Sequence, residues 1–191
     1  MDTVADYVSI QPDVLYGRVT QLCWGLIRGV MYLHKFRIAH RDIKPDNLVV
    51  DSERNFSLKI IDFDVAMRVE DEDEVVEGQC GTKGWMAPEM VDKLMYSPIK
   101  ADRWSTGAVI LYLLDALREE DTVLRMTGQK LTAHDPEQRP SMLQVAGPLP
   151  DVVDERKASR SLQDAMEVYG ESAMLPRMKK PKLSTPQGCA L

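Results

Sequence analysis

Apolar residues between Pro12 and His34 recur at steps of three and four positions. This spacing places one apolar face along a helix, and proline is favoured in the first turn of a helix. We therefore predict a helix that begins near Pro12 and ends near His34. Its apolar positions are Leu15, Val19, Leu22, Leu26, Val30 and Leu33.

Two short apolar runs, at residues 48–50 and 58–61, flank the polar stretch 51–55. Runs of this kind joined by a polar turn predict a small antiparallel hairpin. Residues 102–117 are apolar on nearly every side, which predicts a helix inside the core. A shorter helix is expected after Pro140. Residues 70–77 contain six acids and no base, which predicts a solvated loop.

Length and charge narrow the function classes. A chain of 191 residues with a net charge of −6 fits one domain plus a tail. The negative charge argues against general nucleic-acid binding, which needs basic residues to neutralise phosphates.

No apolar stretch is long enough to cross a bilayer, so no membrane partner is expected. Three cysteines, an odd number without paired spacing, predict a reducing compartment, either cytoplasmic or nuclear. Residues 147–191 are predicted to be a partly disordered tail.

Three motifs carry the chemistry. His40-Arg41-Asp42-Ile43-Lys44-Pro45-Asp46-Asn47 precedes the first predicted strand, Asp62-Phe63-Asp64 follows the second, and Ala87-Pro88-Glu89 comes downstream. In this order they resemble the catalytic loop, metal-binding loop and activation-segment end of protein kinases.

The resemblance is to the C-terminal lobe of a serine/threonine-type protein kinase, without the N-terminal lobe. It implies a mainly α fold, a kinase-like C-lobe made of a helical bundle with a small antiparallel β-hairpin. The lobe is expected at residues 12–146, with the catalytic loop at 40–47 and the activation segment at 62–89. Residues 1–11 are expected to be the remnant of a leading segment.

The resemblance also implies roles for individual residues. Asp42 would accept or orient the proton of an attacking hydroxyl, and Lys44 would neutralise charge on the transferred phosphate. Asn47 and Asp62 would bind Mg²⁺. Val49 would pack beneath the adenine ring of ATP; the alternative is ordinary strand core, and the two roles are compatible.

Other carried-over positions are structural or regulatory. Asp102 would cap the backbone of the catalytic loop, His40 would stack near Phe63, and Lys44 with Thr82 favours the serine/threonine branch. Glu89 and Arg139 would form a buried ion pair. Arg41 would pair with Glu77 or an acid among residues 70–74 and so order the activation segment, and the alternative is a solvated acidic loop without a partner.

Several features depart from the family pattern. The sequence contains no Gly-x-Gly-x-x-Gly loop, and no strand lysine with a helix glutamate fits before residue 12. Asp64 stands where the family has glycine, which predicts backbone strain there. The stretch from Asp102 to Arg139 is short, and residues 66–81 carry no hydroxyl that could accept a phosphate.

These observations leave more than one function open. The first is ATP- and Mg²⁺-dependent phosphoryl transfer to Ser/Thr hydroxyls of a protein substrate, with activity and both cofactors weak or absent in the isolated chain. The second is a pseudokinase or binding module for a partner protein. The third is a truncated fragment without catalysis. Without an upper lobe, the face that bears Val49 and Phe63 is expected to expose an apolar patch.

Overall fold

The computed structural model describes residues 2–92 and 95–147. This part of the chain is mainly helical, with short antiparallel strand pairs, and confirms the predicted fold class. The tail is predicted at residues 147–191, and residues 148–191 of it lie outside the described residues. The helices are α1 Val4–Ile10, α2 Val19–Lys35, α3 Pro88–Asp92, α4 Pro98–Ala116, α5 Thr122–Leu131 and α6 Met142–Ala146.

Six short strands form three antiparallel pairs in the described residues. The predicted hairpin is β2 with β3, in the register Leu48↔Ile60. The pairs β1–β4 and β5–β6 each join segments that are distant in sequence, and sequence patterns did not predict them. The strands are β1 Ile38–Ala39, β2 Leu48–Asp51, β3 Ser57–Ile60, β4 Met67–Arg68, β5 Val76–Glu77 and β6 Met95–Tyr96.

Helix α2 starts later than predicted. Residues 12–14 form a separate 3-10 turn that begins with Pro12, and Gly17 adopts a φ of +70°, which interrupts the helical backbone. The helix therefore begins at Val19. Its predicted apolar face is nevertheless buried, because Leu22, Leu26 and Val30 are fully inaccessible.

Helix α4 is the core helix that the sequence predicts, although it begins four residues earlier, at Pro98. Ser97 caps it, since its Oγ accepts a hydrogen bond from the Lys100 amide. Val109, Ile110, Leu113 and Leu114 are completely buried in one cluster that also contains side chains of α2, α5 and α6. The helix therefore supports the rest of the molecule from inside.

Residues 1–11 are more than a remnant. Thr3 and Asp6 form a capping box that begins α1. Val4 is fully buried and belongs to the same core cluster as α2 and α4. The lobe therefore begins before residue 12, and the sequence reading missed this helix because it is only seven residues long.

Between α4 and the 3-10 turn Pro136–Gln138, the chain forms just one helix, α5. The two helices pack at glycines: a Cβ on Gly107 would lie 2.7 Å from Leu131 Cβ and 2.8 Å from the Gly128 carbonyl oxygen. The two glycines thus allow the backbones of α4 and α5 to approach closely.

Within the described residues, no helix combines the length and apolar character needed to span a membrane.

We expect Gly107→Ala to destabilise the fold by about 1–3 kcal/mol, because the added methyl overpacks a contact with rigid backbone. Gly29→Ala is the matched control. It is also a mid-helix glycine, but its new methyl would meet Ile60 Cδ1 at 3.0 Å, the end of a flexible side chain, and the helix propensity of alanine offsets the crowding to within about 1 kcal/mol. Urea unfolding measures both, and equal values would contradict the assigned contact.

Candidate active site

The catalytic loop is capped by a buried carboxylate. Asp102, which is 1% exposed near the N-terminal end of α4, accepts the amide of His40 at Oδ2 (2.7 Å) and the amide of Arg41 at Oδ1 (2.8 Å). Arg41 adopts a φ of +69°, a left-handed conformation that is unusual for a residue with a side chain. The loop that the sequence predicted to depend on Asp102 is thus attached to the core at its first two residues.

His34 joins the same carboxylate. Its Nε2 lies 3.3 Å from Asp102 Oδ2, a contact that the sequence analysis did not predict. Its position in the last turn of α2 carries no signal for the contact, because the partner is 68 residues away. The end of α2 and the start of the catalytic loop therefore share one anchor.

His40 connects the catalytic loop to the metal-binding loop. Its buried Nε2 lies 3.0 Å from the carbonyl oxygen of Ile61, and its ring stands edge-on to Phe63 with centroids 5.0 Å apart. This places Phe63 where the sequence predicted it, beside His40. The two loops are thereby fixed relative to each other.

Asp42 lies in a shell of polar side chains. Its Oδ2 is 3.0 Å from Lys44 Nζ and accepts a hydrogen bond from Asn47 Nδ2 at 3.1 Å, while the same amide also donates to the Asp42 carbonyl oxygen at 2.9 Å. Asp42 Oδ1 is buried and has no hydrogen-bond partner among the described residues. One carboxylate oxygen is therefore held in place and the other is left to accept a further proton donor.

The surroundings keep Asp42 ionised. Burial, the largest single influence, raises the pKa of this carboxyl, while the hydrogen bond from Lys44 and the nearby Thr82 hydroxyl lower it. The positive charge of Lys44 and the Asn47 amide act in the same direction, so the pKa lies below its ordinary value.

Thr82 brings the activation segment to the catalytic loop. Lys44 Nζ donates to Thr82 Oγ1 at 2.7 Å. The preceding Gly81 has a φ of +97°, and a Cβ there would lie 2.7 Å from the Arg41 carbonyl oxygen. Only glycine permits this approach, so the Gly81-Thr82 pair has a direct steric and hydrogen-bonding reason.

Asn47 and Asp62 lie at the same end of the β2–β3 hairpin. The Ile61 amide donates to the Asn47 carbonyl oxygen at 3.0 Å, which brings the metal-binding loop next to the catalytic loop. Asp62 is exposed and adopts a φ of +64°. Asp64 does not have a positive φ, so the strain that the sequence predicted at this position falls on Asp62 instead.

The residues present suit Mg²⁺ as partial ligands. The amide nitrogen of Asn47 is used on Asp42, which leaves its side-chain oxygen for a cation, and Asp62 offers a solvent-facing carboxylate. The described residues contain no cluster of three or more His, Cys, Asp or Glu side chains suited to a metal. Mg²⁺ commonly takes only one or two protein carboxylates together with water and phosphate oxygens, so this donor set fits it.

Val49 fits its predicted role poorly. It is 6% exposed, and its backbone forms a bridge with Thr3 while the neighbouring Val50 amide donates to the Asp2 carbonyl oxygen at 3.3 Å. Little of its surface remains for an adenine ring, and that contact stays a prediction. The exposed apolar side chains nearby are Ile61 and Val65, while Phe63 is half-buried.

Glu89 and Arg139 form a bidentate pair at 2.5 and 2.7 Å. Both side chains are almost inaccessible. The arginine also donates to the carbonyl oxygens of Lys100 and Ala133, so every part of its guanidinium is satisfied. The pair joins the end of the activation segment to the 3-10 turn before α6.

Within the part of the chain that the structure describes, the predicted pairing of Arg41 with Glu77 or with an acid among residues 70–74 is not found. Arg41 Nε donates to the Tyr96 hydroxyl at 3.2 Å and Nη1 to the Val65 carbonyl oxygen at 3.4 Å. Glu77 is exposed in β5. The alternative of an unpartnered loop is also wrong, because Glu72 and Asp73 contact Arg103 and Lys100 of α4.

The family model for the protein kinase domain matches residues 2–164. The chain belongs to the protein kinase domain family. It is similar to CBL-interacting serine/threonine-protein kinase 5 of Arabidopsis thaliana, with 43% identity over 91 residues, covering 47% of this chain and 20% of that protein. It is also similar to serine/threonine-protein kinase GIN4 of Saccharomyces cerevisiae, with 39% identity over 103 residues, 52% of this chain and 9% of that protein.

A third relative is CBL-interacting protein kinase 16 of Oryza sativa, with 41% identity over 91 residues, 47% of this chain and 20% of the relative. The matched segment of this kinase domain thus spans a fifth or less of these relatives' lengths. Protein kinases in general use ATP and Mg²⁺ and act on proteins. The likeness to serine/threonine kinases agrees with the interpretation drawn from Lys44 and Thr82.

We expect Glu89→Ala to cost about 3–5 kcal/mol, because it leaves the buried Arg139 charge without its partner. Asp115→Ala is the control. It removes the carboxylate of an exposed pair, Asp115–Arg125 at 2.9 Å, which is worth at most about 1 kcal/mol. Chemical unfolding compares the two, and a similar small loss for both would contradict the role of Glu89.

Lys44→Met should raise the pKa of Asp42, since burial still opposes ionisation while the main stabilising contact is lost. The folded-state pKa of Asp42 is depressed, so its contribution to stability is present above the unfolded-state pKa and is lost as the pH falls through the folded value. Lys59→Met is the matched control, because Lys59 lowers the pKa of Asp51 instead. Carboxyl ¹³C NMR titration follows both groups, and an Asp42 pKa that stays in place without Lys44 would refute the assignment.

Proposed function

We propose that this chain carries the catalytic loop of a serine/threonine protein kinase and supports Mg²⁺-dependent transfer of a phosphoryl group from ATP to a hydroxyl of a protein substrate. The observation that carries the proposal is the set of hydrogen-bond partners of the two Asp42 carboxylate oxygens. One of its oxygens is held by Lys44 and Asn47, and the other is buried and has no partner in the described residues.

Each polar group then has a defined task. Asp42, kept ionised, accepts or orients the proton of the incoming hydroxyl. Lys44, which already bridges Asp42 and Thr82, supplies positive charge beside the acceptor site. Asn47 and Asp62 would hold Mg²⁺, which neutralises the charge of the phosphates when it is bound.

Weak activity of the 191-residue chain is part of the proposal. Its residues include no Gly-x-Gly-x-x-Gly loop, and Val49 is covered rather than open to an adenine ring. Removing one preorganised charge-stabilising donor typically costs roughly a hundred- to a thousandfold in rate.

We also propose a cytoplasmic or nuclear location. Two cysteines that are free in the described residues, Cys23 and Cys80, agree with it.

A second candidate is a pseudokinase that binds a partner protein without catalysis. The burial of Val49 favours it, because little of the Val49 surface remains for a purine ring. Exposed Ile61 and Val65 beside the metal-binding loop offer an apolar surface for such a partner. The two candidates differ in whether nucleotide binds and phosphate moves.

Transfer of ³²P from Mg·ATP to dephosphorylated casein tests the proposal. We expect a slow rate for the 191-residue chain, reduced by about 10²- to 10⁴-fold in Asp42→Asn, which removes the proton acceptor. Asp46→Asn is the matched control, because Asp46 is an exposed acid of the same loop and should leave the rate unchanged.

Thermal unfolding with and without Mg·ATP completes this test, because a ligand that binds the folded state raises the melting temperature. A shift in melting temperature together with transfer that needs Asp42 supports the kinase proposal. Absence of both would overturn it and leave the binding module. Transfer that is equal in the Asp42 and Asp46 variants would show that the activity does not come from this site.

A further inference from the structure

The activation segment has no hydroxyl before Thr82 through which a phosphate could order it. Residues 66–81 contain no Ser, Thr or Tyr. The next hydroxyl, on Thr82, accepts a hydrogen bond from Lys44 in the catalytic loop. The acidic part of the segment, residues 70–77, nevertheless packs against α4, so another interaction must hold it there.

Two cations on α4 are buried beneath this acidic stretch. The side chains of Lys100 and Arg103 are 8% and 5% exposed. A buried charge is costly unless an opposite charge accompanies it. Both cations lie on the core helix α4, and their carboxylate partners come from other segments of the chain.

Acids of the segment supply these partners. Asp73 contacts Lys100 Nζ at 2.7 Å, and Glu72 contacts Arg103 Nη2. Their side chains are 75% and 56% exposed, so each carboxylate reaches inward from the surface. Lys100 is shared with Glu137 at 2.6 Å.

The backbone of the segment is tied to the same helix. Ser97 Oγ, the cap of α4, donates to the Glu72 carbonyl oxygen at 2.7 Å. The same Arg103 that contacts Glu72 also donates from Nη1 to the Arg139 carbonyl oxygen at 3.3 Å. The contacts therefore run from the acidic stretch through α4 to the buried Glu89–Arg139 pair.

We propose that Lys100 and Arg103 form an electrostatic latch that holds residues 70–77 in place without phosphorylation. Glu72 and Asp73 provide the negative charge that orders the segment, and the cations that receive them, Arg103 and Lys100, lie on α4 rather than in the catalytic loop. Lys100 and Arg103 are thus positioning residues for the activation segment. The importance of the latch for catalysis rests on the proposed function. Its effect on the order of the activation segment does not depend on that function.

Hydrogen–deuterium exchange of the 191-residue chain, read by mass spectrometry, tests the latch without any measurement of activity. The double variant Glu72→Gln/Asp73→Asn removes both latch carboxylates. The control Glu70→Gln/Glu77→Gln makes the same change of charge in the same segment, at side chains to which the structure assigns no basic partner within residues 2–92 and 95–147. Failure of the kinase proposal would leave this readout unaffected.

We expect amide exchange of residues 70–77 to accelerate by roughly five- to thirtyfold in the latch variant, and by less than about twofold in the control. Exchange in α2 should stay unchanged in both. Equal exchange in wild type and latch variant overturns the proposal, as does equal acceleration in the control. Acceleration that extends to α2 would assign the effect to global destabilisation and also overturns it.

Salt provides an independent readout of the same contacts. Raising NaCl from 0.1 to 1 M shortens the screening length from about 10 to about 3 Å. Exchange of residues 70–77 should therefore accelerate with salt in the wild type and less so in Glu72→Gln/Asp73→Asn. An identical salt response of the two proteins would contradict an electrostatic latch.

Discussion

The attachment of the catalytic loop to α4 through Asp102 is the interaction on which the site depends. A carboxylate buried in the core accepts two consecutive backbone amides and also meets His34. Hydrogen bonds of this kind are stronger than neutral ones because the acceptor is charged. They also hold Arg41 in a left-handed conformation, so the direction in which Asp42 leaves the loop is set by a side chain of another element.

Other buried charged side chains on and beside α4 also contact partners from distant parts of the chain. Lys100 and Arg103 are buried on this helix, Arg139 packs beside it, and each meets carboxylates from distant segments. A buried ion pair adds little net stability compared with apolar packing, but its partners cannot be exchanged freely. We infer that these pairs specify which segments meet, while the apolar cluster of α2, α4, α5 and α6 provides the stability.

Sequence reasoning captured the features that local patterns encode. The apolar face of α2, the β2–β3 hairpin and the core helix α4 follow from periodicity and turn residues, and the Glu89–Arg139 contact was carried over from the resemblance to protein kinases. It missed α1, because a seven-residue helix gives a short pattern. It also missed β1–β4, β5–β6 and the contacts of His34, since these depend on residues brought together by the fold.

The activation segment shows why charge patterns are hard to interpret alone. Six acids in eight residues predict solvation, and that would hold if the facing helix were neutral. Lys100 and Arg103 look like ordinary surface cations in the sequence, because nothing in a helical pattern distinguishes a buried cation with partners from an exposed one. The structure shows that both side chains are buried and that each contacts an acid of this segment.

The separation between the catalytic loop and its cap has a consequence for biosynthesis. His40 and Arg41 precede Asp102 by 62 and 61 positions. At translation rates of roughly 5–20 residues per second, Asp102 is synthesised about 3 to 12 s after the residues of the loop that it caps. During that interval the carboxylate that accepts the His40 and Arg41 amides is absent, so a ribosome-bound chain halted before α4 would carry the loop without its cap.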